Sequence, residues 1–345
     1  MRGAGVRRAA GLVGGLVAAG LLAGCSPPLP PATLAEQLLL VVSPHPDDEL
    51  QGWSLVTGRG PGTYPVFVTL THGESTTKCA PEELERTLRT GWGEREPEPL
   101  PEGPGTPSCG EARLDSWHAF LDEATAVEGW RETFDDLVEG EVEVPGVAAP
   151  ATTWVGESGA RVAVDGGDGS LTPQVVDAAV DAVLGLRGTV LPDLPLATVV
   201  GAAYTNDAPG EGRNRAADGT CTDHPCEGDP RYAEYEHPDH WAVREALLAR
   251  EPQAWTCVAT WPRDPELTQR RDVPADVYEA LMGLGEEVEP GDPESRERLG
   301  AHQRAYGWLA FPRTYWPPTV LPVPDEAGEP LVMSSRQSFT CRRPV

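Results

Sequence analysis

The sequence predicts an α/β domain: a mostly parallel sheet with helices on both faces, loop insertions and a C-terminal extension. Three observations predict it. A continuous apolar run at 38–42 and largely apolar ones at 66–70 and 196–200 have the pattern of strands buried on both faces. Helical periodicities lie between and after these runs. The tripeptide His-Pro-Asp occurs twice, at 45–47 and 237–239, each time just before a predicted helix.

In chain order, residues 1–24 hold Arg2, Arg7 and Arg8, no acid, and an apolar run from Ala9 to Ala23. That run is short for a membrane span and fits a signal peptide with a basic leader. It ends Leu22-Ala23-Gly24-Cys25, which resembles a bacterial lipobox. Cys25 is then the expected lipidation site and the first mature residue. Residues 25–36 read as a Pro-rich tether, and 37–345 as one domain. Leu38–Val42 is a buried strand, broken by Ser43-Pro44-His45-Pro46. Asp47-Asp48-Glu49 opens a helix, where acids suit the dipole. Val66–Leu70 is a second buried strand, followed by Thr71-His72-Gly73-Glu74. Residues 79–110 read as a surface insertion, and Arg113–Val127 as an amphipathic helix.

Further on, 151–164 holds two short strand-like runs. Thr172 caps a helix reaching about Leu186, with Val175, Val176, Ala179, Val180 and Val183 on one face. After the strand Leu196–Val200, residues 202–236 are polar and Gly-rich, the mark of an active-site loop in a compact domain. A helix follows His237 to about Ala249, and Trp255–Thr260 is strand-like. Residues 275–284 and 294–309 look helical. The extension from about 310 to 345 is expected to add edge strands.

The 345 residues carry 27 Lys+Arg against 54 Asp+Glu, a formal charge of −27. Loss of 1–24 removes three arginines and no acids, which leaves −30. Without a basic face, a nucleic-acid partner is excluded. Seven cysteines are present. Setting Cys25 aside leaves six, and an even set in an exported chain reads as disulfides. The pairing expected is Cys79–Cys109, Cys221–Cys226 and Cys257–Cys341. For Cys221, His224 and Cys226, part of a second metal site competes with that short disulfide.

Loops at the carboxyl ends of parallel strands form the ligand crevice of an open sheet. The two His-Pro-Asp loops can therefore converge. Together they offer His45, Asp47, Asp48, Glu49, His237, Asp239 and His240. Imidazole plus carboxylate suits a catalytic zinc, which takes three protein ligands and leaves a position for water. A further carboxylate can act as base, and a further histidine can face an oxyanion. The alternative is a pair of helix N-caps with solvated acids.

These segments resemble the LmbE-like or PIG-L superfamily of zinc-dependent N-acetylglucosaminyl deacetylases. The resemblance rests on Pro44-His45-Pro46-Asp47-Asp48-Glu49 after a strand and His237-Pro238-Asp239-His240 before a helix. Thr71-His72-Gly73-Glu74, Asp168-Gly169-Ser170-Leu171 and Ala301-His302-Gln303 add weaker matches. It implies a Rossmann-like sheet and one zinc held by His45, Asp48 and His240. It implies Asp47 as general base, His237 as the oxyanion partner and Asp239 as the carboxylate tuning His237. Tyr235 matches a mobile tyrosine at the site mouth, and His72 and Glu49 are further candidates for substrate contact. The chain departs from the family in having Ser116, not an acid, three residues after Arg113.

The expected activity is removal of acetyl from an N-acetylglucosamine-type amino-sugar, outside the cytoplasm. The membrane is a partner through the lipid only, and the chain is secreted if Cys25 stays unmodified. Two other readings compete: an amidase for another N-acyl compound, such as an antibiotic or thiol-conjugate, and a non-catalytic glycan-binding lipoprotein. Trp53 and Trp154 are candidates for sugar stacking, with core packing as the alternative. His118 and His302 read as helix residues without a catalytic role, and Asp165–Gly169 as a turn.

Overall fold

The computed structural model describes residues 34–60, 62–84, 100–128, 137–205, 237–260, 269–283, 299–306 and 336–344. Cys25, Tyr235 and the Cys221–Cys226 pair lie outside the described residues.

Among the described residues, nine strands form one sheet in the order β3-β4-β5-β2-β1-β6-β7-β9-β8. Its centre is β1 (Gln37–Ser43), parallel to β2 (Thr63–Thr69) on one side and β6 (Leu196–Thr205) on the other. The parallel set continues to β5 (Ala160–Ala163) beyond β2 and to β7 (Trp255–Thr260) beyond β6. Both flanks are antiparallel. β3 (Val138–Val142) and β4 (Ala151–Val155) lie beyond β5, and β9 (Arg336–Arg342) and β8 (Gln269–Asp272) beyond β7.

Alternation along β1 assigns the two faces. Leu39 and Val41 pack into one buried cluster with Trp53, Phe67, Trp117, Phe120 and Tyr306. The helices of that face are α1 (Trp53–Val56), α2 (Pro107–Val127), α5 (Ala275–Met282) and α6 (Ala301–Tyr306). Leu38, Leu40 and Val42 pack into the opposite cluster with α3 (Pro173–Gly185) and α4 (Pro238–Ala249). Such two-sided cover is why apolar residues dominate both faces of the central strands.

Three expectations change. α2 begins at Pro107, where Thr106 caps it by accepting from the Cys109 N–H. The stretch read as an insertion therefore ends in helix. β6 runs to Thr205. Ala202 and Ala203 were expected to open the loop, yet both alanines are fully buried. Small residues lack the β-branched signature but suit a strand crossed closely by helices. Finally, β9 lies between β7 and β8 rather than at the edge.

The pairs Cys79–Cys109 and Cys257–Cys341 are both disulfides. The second joins directly opposed residues of β7 and β9. Trp53 is completely buried, stacked on Phe67, so it is core and not a sugar platform. Trp154 meets His118 edge-on at 4.5 Å, against α2. No helix among the described residues is long and apolar enough to cross a membrane.

Candidate metal and catalytic centre

β1 and β6 are neighbours whose connections leave in opposite directions, one towards β2 and the other towards β7. Their carboxyl ends mark the switch point where open α/β sheets bind ligands. β1 delivers the His45 loop there. The chain leaving β6 returns as His237 and the start of α4. Thr71 fastens the loop after β2 to the same place, since its N–H and Oγ1 both donate to the Pro44 carbonyl at 3.0 and 2.9 Å.

The His45 loop enters a tight 3-10 turn, Asp48–Gly52. Asp47 stands just before it with φ 96°, the sole non-glycine with positive φ among the described residues. Aspartate tolerates this region better than most residues, at a cost of about 1–3 kcal/mol. The Asp47 N–H donates to Glu49 Oε2 at 3.1 Å, and Tyr306 of α6 donates its hydroxyl to Glu49 Oε1 at 2.7 Å. Glu49 is fully buried, so it braces Asp47 from behind instead of contacting substrate as expected. Arg113 of α2 donates to the Pro46 carbonyl and lies 3.2 Å from Asp47 Oδ2. Gly73, with φ 67°, leaves the guanidinium its space, because a Cβ there would meet it at 2.7 Å.

The second motif begins α4. His237 is its N-cap, Nδ1 accepting from the Asp239 N–H at 3.3 Å, and Pro238 occupies the first turn. One turn on, His240 is completely buried. Its Nδ1 donates to the Tyr204 carbonyl at 2.9 Å, so Nε2 carries the lone pair. That Nε2 lies 3.1 Å from Asp48 Oδ2, and His45 Nδ1 lies 3.0 Å from the same oxygen. On its other side, His45 Nε2 sits 3.1 Å from both Asp168 Oδ1 and Asp239 Oδ2.

This donor pattern fits a bound cation. His45 Nε2, held between two carboxylates, carries a proton, so Nδ1 is the nitrogen that would turn its lone pair to a bound metal. Asp48 Oδ2 thus lies between His45 Nδ1 and His240 Nε2 in a buried space. A positive charge is what this set of groups favours, met by a proton on His45 when no metal is present and by the cation when one is bound. Two histidines and one carboxylate is a known ligand set for catalytic zinc, and ligating histidines usually give their other N–H to a carboxylate or carbonyl. His237 completes the cluster, its ring 4.6 Å from that of His45 and 5.5 Å from that of His240. His45, His237 and His240 form one group with donor atoms close enough for one ion, and His45, Asp168, His237 and Asp239 another.

Titration behaviour follows from the packing. Burial, with Asp48 beside it, pushes the Asp47 carboxyl up to about 6 against the pull of Arg113. Burial also raises Asp48, but His240 and His45 outweigh it and hold that carboxyl well below the usual range. Burial pushes Glu49 up to about 8, although the Tyr306 hydroxyl opposes this. Burial lowers His45, yet Asp168, Asp239 and Asp48 together raise it above the ordinary value. Burial, His45 and His240 lower His237.

The structure thus brings together His45, Asp47, Asp48, His237, Asp239 and His240. Asp239 stands near both His45 and His237, and its charge acts on His237. Asp239 is closer to His45, at 3.1 Å, than to His237, at 4.0 Å. The backbone N–H groups of Gly169 and Leu171 hold its two oxygens at 2.7 and 2.9 Å. Asp168 joins from the same loop, its Oδ2 accepting from the Ser75 N–H. His72 packs beside Gly110 of α2, partly buried. Arg113, Asp168, Gln51 and Tyr306 were not among the expected site residues. Asp168 had a weak signal in its Asp-Gly-Ser-Leu segment, whereas Tyr306 had none.

No family model and no curated protein matches the chain. Among solved structures, it is similar to a triple mutant of a deacetylase of the teicoplanin biosynthetic pathway. The identity there is 18% and the TM-score 0.35, over 89% of this chain and 98% of that one. A zinc-inhibited form of the teicoplanin deacetylase Orf2 gives 13% and 0.40, over 88% and 97%. The A40926 pseudoaglycone deacetylase Dbv21 gives 17% and 0.34, over 89% and 98%. Likeness at these levels bears no weight on activity, which has to be argued from the centre itself.

Proposed function

We propose that the chain is a zinc-dependent amidase acting outside the cytoplasm, which removes acetyl from an N-acetylated amino-sugar. The observation that carries this reading is the contact of both His45 Nδ1 and His240 Nε2 with the buried Asp48 Oδ2, next to Asp47 in the chain. In this reading His45, Asp48 and His240 hold the zinc. When bound, zinc lowers the pKa of a coordinated water towards neutrality and polarises the amide carbonyl.

The protein's own groups then divide the work. Asp47 takes the proton of the attacking water, and a carboxyl raised to about 6 suits a base working near neutral pH. Arg113 and the Glu49 brace hold its carboxylate in place. Because His237 Nδ1 already accepts from a backbone N–H, its Nε2–H points elsewhere as a donor. With its pKa lowered by burial and its two histidine neighbours, His237 serves as a neutral donor to the carbonyl oxygen as charge develops. An imidazolium is not needed. The departing amine collects its proton from Asp47, and acetate and a free amine leave.

The two disulfides support an oxidising compartment. Residues 1–24 are proposed as the signal and Cys25 as the lipid-bearing residue, with 25–36 tethering the domain to the membrane. The substrate class rests on the motif resemblance alone. A direct test is an acetate- and amine-release assay of the zinc-loaded chain on N-acetylated oligosaccharides and a panel of other N-acyl compounds. Acetate release from the sugars is the expected result. Cleavage confined to other N-acyl compounds would overturn the substrate while keeping the chemistry, and no cleavage at all would overturn both.

A further inference from the structure

Gln51 lies in the 3-10 turn at the bottom of the metal centre and is buried. It belongs to neither histidine motif. Its amide orientation is not open to choice. The Tyr204 backbone N–H can only donate, so the oxygen 2.6 Å from it is Gln51 Oε1. Gln51 Nε2 must then face Asp48 Oδ1, also at 2.6 Å, as the donor. The Tyr204 carbonyl in turn accepts from His240 Nδ1. His240 Nε2 closes the circuit by facing Asp48 Oδ2.

The circuit runs Asp48, Gln51, Tyr204, His240 and back to Asp48. It uses the backbone N–H and carbonyl of a single residue, Tyr204, so one residue of β6 sets the aim of two proposed ligands. One result is that Asp48 Oδ1 is already occupied by a donor, which leaves Oδ2 alone for the cation. A second is that His240 is held in the tautomer whose lone pair points inward. Gly52 makes this spacing possible. A Cβ there would lie 2.5 Å from Val200, so the turn can press onto β6 only with glycine at this position.

We infer that Gln51 is a positioning residue for the metal centre, setting zinc affinity by holding Asp48 to one coordinating oxygen and referencing it to His240. This rests on the metal site proposed above. Outer-sphere partners of this kind are worth about 10–100-fold in metal affinity.

The test measures zinc dissociation constants by competition with a chromogenic chelator, for the purified chain and for Gln51→Met. The unbranched methionine fills similar space and cannot donate. Gln51→Ser, which leaves room for a water, is read in its place if the methionine variant does not fold. Metal-free melting curves are recorded alongside. A folded variant that binds zinc at least threefold more weakly supports the inference, and about tenfold or more is expected. A folded variant within threefold of the parent overturns it. If the parent itself binds no zinc, the metal reading fails, an outcome distinct from parent and variant binding equally.

Discussion

At the residue scale, the centre is an arrangement of acceptors made compatible by what stands behind them. His45, Asp48 and His240 were legible because imidazole and carboxylate at strand ends have few other uses. The bracing groups were not. Tyr306 is 257 residues from Glu49 in sequence, and nothing local marks a tyrosine on a short helix as the anchor of a distant carboxyl. Loss of its hydroxyl in Tyr306→Phe should let Asp47 relax from its positive φ. We expect kcat to fall about tenfold, the effect of one hydrogen bond of about 1.4 kcal/mol, with KM and zinc content unchanged. Equal kcat in parent and variant would show that Asp47 does not depend on this brace. His302, near Phe120 and Tyr306, makes a separate prediction. Burial lowers it to about 3, below its unfolded value of about 6.5. The unfolded chain thus binds the extra proton first, and stability is lost as pH falls from about 6.5 towards 3. Replacing it in His302→Phe should remove up to about 1.4 kcal/mol per pH unit of that slope, measured by denaturant titration at several pH values.

At the element scale, the sequence made the interior strands easy to read and the outer ones hard. β1, β2, β6 and β7 are covered on both sides, so apolar residues dominate both of their faces. β3 reads Val-Glu-Gly-Glu-Val and β8 Gln-Arg-Arg-Asp. Both are edge strands, where charge discourages pairing with other chains and erases the strand pattern. β9 carries one large apolar residue, Phe339, fully buried, and its place beside β7 is secured by Cys257–Cys341. Breaking that link in Cys341→Ser should cost about 2–4 kcal/mol in equilibrium unfolding. An unchanged midpoint would mean that strand pairing alone holds β9.

At the scale of the whole molecule, the fold acts as a device for bringing two distant tripeptides together. Parallel strands leave their loops on one side, and the β1/β6 reversal opens the gap into which both loops fall. The α3 and α4 helices pack on one face of the sheet and α1, α2, α5 and α6 on the other. The charge of −27 did not point to the centre, which uses only a few of the acids. What the chain does depends on whether the gap holds metal. Elemental analysis of the purified parent, Asp47→Ala and Asp48→Ala is the most direct measurement. About one zinc per chain is predicted for the parent and for Asp47→Ala, and none for Asp48→Ala. A metal-free parent, or zinc retained in Asp48→Ala, would contradict the account.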